Sequence, residues 1–425
     1  FNPSKSAFCM KILHTADWHL GVKLDNQLRD EEHERALAWL RELIVDEGVE
    51  LLIVAGDVFD VPMPSHNAQR LYYNFLRGLS GTCCQTVIIV GGNHDSPNLL
   101  EASRELLHLL NIHVVANLPS ERDSQIIRVK NKKQQLRAVV AAVPFLHESQ
   151  LRKLNIGETS EERREQIRAA ISQHYSELAR EVEVYASRNI PILTTGHLYV
   201  MGGERGERQN TIHLGNIDLF PPSGFPAVFD YVALGHLHKP HHVGEQRIRY
   251  SGSLIPIDFS EANYEHSVYI VEFEGRAIKD IVRHKNKDAR RLWLVRGTQE
   301  EVANTLQQYP EPAFDKRVLP TWLRIEVDTQ EPYIPNLKQE FEKIIGKKRL
   351  MIVGEPIQRR QIDSDSEEAI QASLQSIPSL ADIGVNEVFA MRLKLGGYEE
   401  GEDMEQLQRD FVDLQDWWQQ QGRGK

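Results

Sequence analysis

The sequence predicts a layered α/β fold followed by a small α+β unit and a C-terminal helical hairpin. From Lys11 to Gly275, short continuous apolar runs alternate with amphipathic helical stretches, the grammar of strands buried on both faces and helices that return the chain between them. Near Ala289 the pattern shifts to a compact β-α-β-α-β unit of roughly 70 residues. Beyond a polar, acidic spacer, two stripes of large apolar residues recur at helical spacing.

The first strand, within Lys11 to Gly21 (KILHTADWHLG), ends on Asp17 and His19. Residues two apart in an extended segment point the same way, so both side chains can reach one ion. A helix follows from about Asp30 to Glu47, with Ala36, Leu37, Leu40, Leu43 and Ile44 forming a 3.6-period stripe. The next strand, opening LLIVAGDVFD at Leu51, leads into Asp57, and a helix from about Ser65 to Leu79 carries Leu71, Phe75 and Leu79 at four-residue spacing. The apolar run Thr86 to Val90 then opens into GGNHDS, Gly91 to Ser96. Asn93 and His94 therefore fall at a strand's carboxyl edge, where open α/β sheets place their ligand sites. Another helix is expected from about Asn98 to Leu110.

Further strands are predicted at Leu136 to Pro144, Pro191 to His197, Tyr231 to His238, Ile248 to Ser253 and Ser267 to Gly275, with a charged helix from about Glu161 to Ala186. The Gly- and Pro-containing loop from Met201 to Pro226 lies between two candidate ligand strands, and is either a substrate-facing segment or a surface excursion. In the second unit, LWLVRG, TWLRIEV and RLMIVG read as strands, separated by helices from Gln299 to Gln308 and Ile334 to Ile345, with no candidate catalytic cluster. Gln361 to Ala369 suits a linker. In the tail, Val385, Val388, Phe389 and Leu393 define one stripe, and Met404, Leu407, Phe411, Leu414 and Trp418 a second at heptad spacing. The turn runs through Gly396, Gly397 and Gly401. An element set off by an acidic spacer, with Trp417 and Trp418 costly to leave in water, is expected to bind a partner's helices rather than its own body.

Composition narrows the function classes. At 425 residues the chain exceeds what one core usually serves, so about two to three domains are expected. With 41% hydrophobic and 26% charged residues, a folded globular chain is the default rather than disorder. Three cysteines, Cys9 with the adjacent Cys83 and Cys84, make neither a zinc-finger pair nor a disulfide framework, which fits a reducing cytoplasm. No apolar run suits a membrane span and no charged-then-apolar leader is visible. Phe1 to Cys9 precede a Met-Lys-Ile start and are set aside. The net charge of -11 speaks against a protein that coats DNA with a broadly basic surface. It does not speak against a nuclease whose positive charge comes from bound metal. The basic clusters Lys130 to Lys133, Arg283 to Arg291 and Lys347 to Arg349 read as solvated loops.

Five strands end in metal-ligand residue types: Asp17 with His19, Asp57, Asn93 with His94, His197, and His236 with His238. Singly each has a bland explanation as a cap or a satisfied polar group. Together they do not, because all five histidines singled out of 17 fall at strand ends. Carboxylate, imidazole and one amide oxygen, without thiolate, suit Mn²⁺ and related ions better than a structural zinc. Seven side chains are too many for one ion and suit two, about 3.5 to 4 Å apart, sharing a bridging carboxylate. Asp57, with no neighbouring ligand of its own, is the natural bridge. A pair of cations lowers the pKa of a shared water and clamps the oxygens of a phosphate ester, so phosphoester hydrolysis is the expected chemistry. His94, extra to the ligand count, is available to stabilise charge on phosphorus or to protonate the leaving alkoxide. Asp95 either orients it or only closes the turn.

The ordered set DWH, GDVFD, GNHD, TGH and GHLH resembles the calcineurin-like metallophosphoesterases, a five-part pattern that is highly specific when all parts appear in order. The fuller wording HTADWHLG, VAGDVFD, GGNHDS, ALGHLHKP and YSGSLIP, with the small second unit and hairpin, is similar to a bacterial nuclease branch of that family. The likeness runs from Met10 over nearly the whole chain. It implies a metallophosphoesterase sandwich over 10–285, a capping domain over 286–360, a linker over 361–380 and a partner-binding hairpin over 381–425. It implies one metal held by Asp17, His19, Asp57 and His238 and a second by Asp57, Asn93, His197 and His236, with His94 catalytic. It further implies Mn²⁺-dependent exonuclease action on double-stranded DNA ends and endonuclease action on hairpins and single strands. A homodimer through the helices around Ser65 to Leu110, and a partner ATPase whose coiled coil the hairpin grips, are also implied. Archaeal relatives carry a further active-site histidine after the GD motif. Asp60 stands in that place here and is left out of the catalytic set.

Two other readings stand beside this one. A two-metal phosphodiesterase acting on nucleotides or other small phosphoesters would use the same core, since a fold and its ions do not fix the substrate. A DNA-end tether with purely structural metals would have no need of His94.

Overall fold

The computed structural model describes residues 9–151, 159–204, 220–310, 318–330 and 333–360, together with Phe389, Leu393, Met404, Gln406, Leu407 and Phe411. These residues pack as two units, the first running to Trp293 and including 318–322, the second holding the rest.

The first unit opens with β1 (Cys9–Thr15), β2 (Lys23–Leu24), β3 (Gln27–Leu28), α1 (Asp30–Glu47), β4 (Leu51–Ala55), α2 (His66–Leu79) and β5 (Thr86–Val90). It continues through α3 (Pro97–Glu101), α4 (Arg104–His108), β6 (Ile112–Val115), β7 (Ile126–Lys130), β8 (Leu136–Ala141), α5 (Glu148–Leu151) and α6 (Ser160–Val182). It closes with β9 (Ile192–His197), β10 (Tyr231–Gly235), β11 (His241–Val243), β12 (Glu245–Tyr250), β13 (Ser267–Glu274) and β14 (Ala277–Lys285).

Two six-stranded sheets result, ordered β14-β13-β1-β4-β5-β6 and β11-β12-β10-β9-β8-β7. In the first, β1, β4, β5 and β6 are mutually parallel and β13 and β14 antiparallel. In the second, β8, β9, β10 and β12 are parallel, with antiparallel strands at both edges.

The alternation of side chains along each strand explains why the central runs carry so few polar residues. Leu13, Leu52, Val54, Val87 and Ile89 pack outward with α1 and α2. Their sequence neighbours Ile12, Leu51, Ile53, Ile88 and Val90 pack inward with Ala138, Val140, Leu193, Tyr231 and Ala233 of the second sheet. The other face of that sheet, through Val139, Ala141, Ile192, Val232 and Leu234, packs with Ile167, Ile171, Tyr175, Leu178 and Val182 of α6. The architecture is thus helix, sheet, sheet, helix, the sandwich expected of the family. It brings the carboxyl ends of β1, β4, β5, β9 and β10 to one edge.

Local signals explain the element limits. Three acids occupy the first turn of α1, and Gly48 ends it in the left-handed region at φ 69°. Ser65 caps α2 by accepting from Ala68 N at 3.2 Å, and a capping box of Thr159 and Glu162 starts α6.

The structure departs from the sequence expectation in several places. The helix expected from Asn98 to Leu110 is two short helices, α3 and α4. Ser103 leaves the helical region (φ -105°, ψ 12°), and its Oγ meets Tyr73 Oη of α2 at 3.1 Å. Strands β6, β7 and β14 were not foreseen. The first two are only four and five residues long, and β14 is an edge strand with mostly open side chains, so none shows a continuous apolar run. Residues 205–219 of the long loop lie outside the described residues.

Nor is the Arg283 to Arg291 cluster a solvated loop. Arg283 and Lys285 belong to β14 and pair with Glu265. Arg290 is buried: its Nε donates to Glu32 Oε1 at 2.8 Å, its Nη1 donates to Pro320 O at 2.7 Å, and its guanidinium lies 4.4 Å over the Trp322 ring.

The second unit is built on β15 (Leu292–Gly297), α7 (Gln299–Gln308), β16 (Thr321–Thr329), α8 (Leu337–Ile345), β17 (Leu350–Ile352) and β18 (Ile357–Arg360). The sheet runs β15-β16-β17, with β18 pairing β16 in parallel. Val302 and Leu306 of α7 and Leu337, Phe341 and Ile345 of α8 are buried, as are Leu323, Ile325 and Val327 of β16. Strand β18 is the element that sequence reading missed here. The predicted linker and most of the predicted hairpin lie outside the described residues. Among the described residues of that stretch, Phe389 of one predicted stripe stacks on Phe411 of the other with ring centroids 3.9 Å apart. Leu393 and Met404 are buried.

Candidate metal centre

Each strand end contributes a loop whose backbone is fixed before any side chain acts. The loop after β1 is laced to the loop after β4: Asp17 N donates to Gly56 O (3.0 Å), His19 N to Asp57 O (3.0 Å) and Leu20 N to Val58 O (2.9 Å). Asp17, His19, Asp57 and His236 all have positive φ, at 52°, 46°, 49° and 98°. Non-glycine residues rarely adopt this region, and where they do the surroundings must hold them there, a pattern concentrated at functional sites. Close approach sets the glycines. A Cβ on Gly92 would overlap the Asp57 carboxylate, and one on Gly235 would overlap Ala55 O.

Asp95 closes this frame. Its carboxylate accepts from Val58 N (3.1 Å), Phe59 N (2.9 Å) and Gly92 N (2.9 Å), clamping the GDVF loop to the GGNH loop. Of its two expected roles, the structure supports the turn. His94 is oriented instead by Asp60, whose carbonyl lies 2.8 Å from His94 Nδ1, while His94 N donates to Asp57 Oδ1 at 2.9 Å.

All the predicted ligands converge. His19 Nε2 faces His238 Nε2 at 3.2 Å. Asp57 Oδ2 lies 3.2 Å from His197 Nε2 and 3.7 Å from His19 Nε2, between the two groups of imidazoles. Asn93 Oδ1 lies 3.1 Å from His197 Nε2 and 3.0 Å from His236 Nδ1. Asp17 accepts from His236 N at 2.9 Å. Three sets, Asp17 with His19 and His238, His19 with Asp57 and His94, and Asp17 with Asp57 and His197, each place their ligand atoms within 4.8 Å of one another. Asp17, His19, Asp57, His197 and His238 are buried, whereas Asn93, His94 and His236 are half-buried.

The chemistry of the donor set fits divalent cations. His197 Nδ1 is 2.9 Å from Ala55 O, which can only accept, so that nitrogen carries a proton, and Nε2, aimed at Asp57, offers a lone pair only when the ring gives up its second proton. His238 Nδ1 is likewise committed to Glu261 Oε1 at 2.6 Å, and His19 Nδ1 to Asp60 Oδ1 at 3.2 Å. The remaining nitrogens therefore face one another and a carboxylate, acceptor against acceptor, unless a proton or a cation stands between them. Burial alone would lower His197 and His238. The Asp57 and Glu261 carboxylates outweigh it, raising each imidazole to about 9 in the cation-free protein. Glu261 is correspondingly held down at about 2 against its own burial.

Two residues that back the imidazoles lie outside the expected site set: Glu261, which the sequence reading did not single out, and Asp60, which it noticed and left out of the catalytic set. Glu261 sits in a short 3₁₀ turn, Phe259–Glu261, and is 2% exposed. It is 23 positions from His238, and nothing local in the sequence pairs them. Asp60 stands out through its place in GDVFD, three residues past a ligand, but only the fold shows that its carboxylate meets His19 and its carbonyl meets His94.

Residues 10–240 match the calcineurin-like phosphoesterase family, and residues 288–395 match the type 5 capsule protein repressor C-terminal domain. The chain belongs to the calcineurin-like phosphoesterase family and is a metal-dependent phosphoesterase. Within it the chain groups with the SbcD subunits of SbcCD nucleases. It is 31% identical over 405 residues to the SbcD protein of Escherichia coli K12, covering 95% of this chain and 97% of that one. It is 37% identical over 276 residues to the SbcD protein of Rhodobacter capsulatus (63% and 67% covered). With the Bacillus subtilis SbcD protein it shares 33% over 267 residues (62% and 66% covered).

Proposed function

We propose that this chain is the manganese-dependent nuclease subunit of an SbcCD-type complex, hydrolysing phosphodiester bonds at double-stranded DNA ends and in hairpins and single strands. The observation that carries the reading is Asp57 Oδ2 set between His197 Nε2 on one side and the facing His19 and His238 Nε2 atoms on the other. In this reading Asp17, His19, Asp57 and His238 hold one Mn²⁺, and Asp57, Asn93, His197 and His236 a second. When bound, such a pair activates a water and neutralises charge on the phosphate oxygens.

The chain's own groups do the rest. His94 Nδ1–H is held by the Asp60 carbonyl, so proton exchange runs through Nε2. Protonated there, His94 stabilises charge on the phosphorus centre or protonates the leaving alkoxide. Asp57 fixes the His94 backbone, and Asp95 keeps the two loops in register, so the imidazole needs no reorganisation when substrate arrives.

The metallophosphoesterase domain is taken as 10–285, the capping domain as 286–360, the linker as 361–380 and the hairpin as 381–425. The hairpin grips the coiled coil of an SbcC-type ATPase, a role to which the paired aromatic rings of Phe389 and Phe411 are suited. A homodimer forms through the region of Ser65 to Leu110, where Leu106, Leu109 and Leu110 are 65%, 81% and 52% exposed. A cytoplasmic setting goes with three unpaired cysteines. Among the described residues no helix is long and apolar enough to cross a membrane.

The test is digestion of end-labelled blunt and hairpin duplexes with and without Mn²⁺, ATP and the partner ATPase. Cleavage that requires Mn²⁺ is expected. Hydrolysis of bis-p-nitrophenyl phosphate or cyclic nucleotides with no DNA cut, even with the partner present, would contradict it.

A further inference from the structure

The imidazoles of the centre differ in what stands behind them. His238 Nδ1 lies 2.6 Å from Glu261 Oε1, and His19 Nδ1 lies 3.2 Å from Asp60 Oδ1. Both are carboxylates. His197 Nδ1 instead meets a neutral carbonyl, Ala55 O, at 2.9 Å. Directly ligating carboxylates do not separate the two cation positions, since Asp57 serves both and Asp17 also comes within 4.8 Å of Asp57 and His197. The separation lies one layer out.

Glu261 is pinned in place. Its Oε2 accepts from Ile257 N at 2.9 Å and from Ser253 Oγ at 3.4 Å, and the residue is 2% exposed. A carboxylate accepting an Nδ1–H makes the imidazole a stronger donor at Nε2 and fixes the plane of the ring, and loss of such a partner typically costs 10- to 100-fold in metal affinity. Burial in a low-dielectric surrounding strengthens the effect for Glu261. Asp60, with 17% of its side chain exposed, acts more weakly at longer range. It is also the residue whose carbonyl orients His94.

We propose that Glu261 and Asp60 are positioning residues that make the Asp17–His19–His238 position the tighter of two unequal cation positions. This rests on the two-cation reading above. The second position, backed at His197 by a neutral carbonyl, fills at higher cation concentration and is the one whose occupancy sets activity as Mn²⁺ is varied.

The test is calorimetric titration of the full-length, cation-stripped protein with Mn²⁺ at fixed pH, for wild type, Glu261→Gln and Asp60→Asn. Electron paramagnetic resonance of free Mn²⁺ serves as an independent count. Wild type is expected to take up two ions in two resolved steps. Glu261→Gln weakens the tighter step by roughly 10- to 100-fold and leaves the weaker step in place. Asp60→Asn shifts the same step by less, and Glu261→Asp recovers part of the loss. A purely structural role would weaken both steps together. Two equal steps in wild type, unchanged steps in both variants, or an effect confined to the weaker step would overturn the proposal while leaving two bound ions intact. Uptake of fewer than two ions by wild type would instead remove the two-cation reading, and this inference with it. Should Glu261→Gln fail to fold by circular dichroism, Asp60→Asn decides alone, and no change there counts against the proposal.

Discussion

Two regions of the first unit bury carboxylates and imidazoles, and they satisfy them in opposite ways. At the start of α1, Glu32 accepts from Arg29 Nε at 2.7 Å and Arg290 Nε at 2.8 Å, and His33 Nε2 meets Trp18 O at 2.8 Å. Burial pushes His33 down to about 4, so the ring stays neutral. At the strand ends, His197 and His238 are buried as deeply and yet sit at about 9, because the Asp57 and Glu261 carboxylates beside them outweigh the burial and no guanidinium among the described residues competes for those acids. Buried charge alone therefore does not mark a functional site. A buried acid supplied with guanidinium donors is a structural joint, whereas acceptors aimed at acceptors call for a cation.

Removing His94 is expected to have the largest effect on turnover. His94→Ala should lower phosphodiester hydrolysis by about 10²- to 10⁴-fold while calorimetry still records Mn²⁺ uptake. An unchanged rate would refute its catalytic role. The α1 cluster should respond the other way round. Glu32→Ala leaves two buried guanidinium groups without their carboxylate and is expected to cost about 3–5 kcal/mol in denaturant unfolding, with Mn²⁺ affinity unaltered. If affinity fell with stability, the separation between structural joint and cation site would fail.

The smallest effect, and the most diagnostic in sign, is in the pH dependence of unfolding. In cation-stripped protein, His197 and His238 bind protons more tightly folded than unfolded. Their contribution is complete below about pH 6.5 and is lost as pH rises toward about 9. His33 has the reverse sign: its folded value is depressed, so stability is lost as pH falls from about 6.5 toward about 4. Thermal unfolding in EDTA should therefore fall off on both sides of neutrality. Saturating Mn²⁺, which displaces the two strand-end protons, should remove the alkaline loss. A Mn²⁺-insensitive alkaline limb would contradict the assignment.

The strand-end residues were legible because the constraint on them is local. An apolar run that must be buried on both faces, followed at once by Asp, Asn or His beside glycine, announces itself in Leu51 to Asp57 and Thr86 to His94 without knowledge of the fold. The sandwich of two sheets was legible only through the family resemblance, since nothing in Ile12 or Ile53 says which sheet they will face. What escaped was set by contacts distant in sequence. Glu261 meets His238 across 23 residues, and Arg290 reaches Glu32 across 258. Neither carries a periodic signature. Short or edge strands such as β6 and β14 escaped for another reason. Pairing with a neighbour stabilises them more than any pattern of their own.

The most direct measurement is anomalous diffraction from crystals soaked in manganese. Two peaks roughly 3.5–4 Å apart are expected, with the Asp57 carboxylate between them, Asp17, His19 and His238 at one, and Asn93, His197 and His236 at the other. A single peak, or a pair that Asp57 does not touch, would contradict the account.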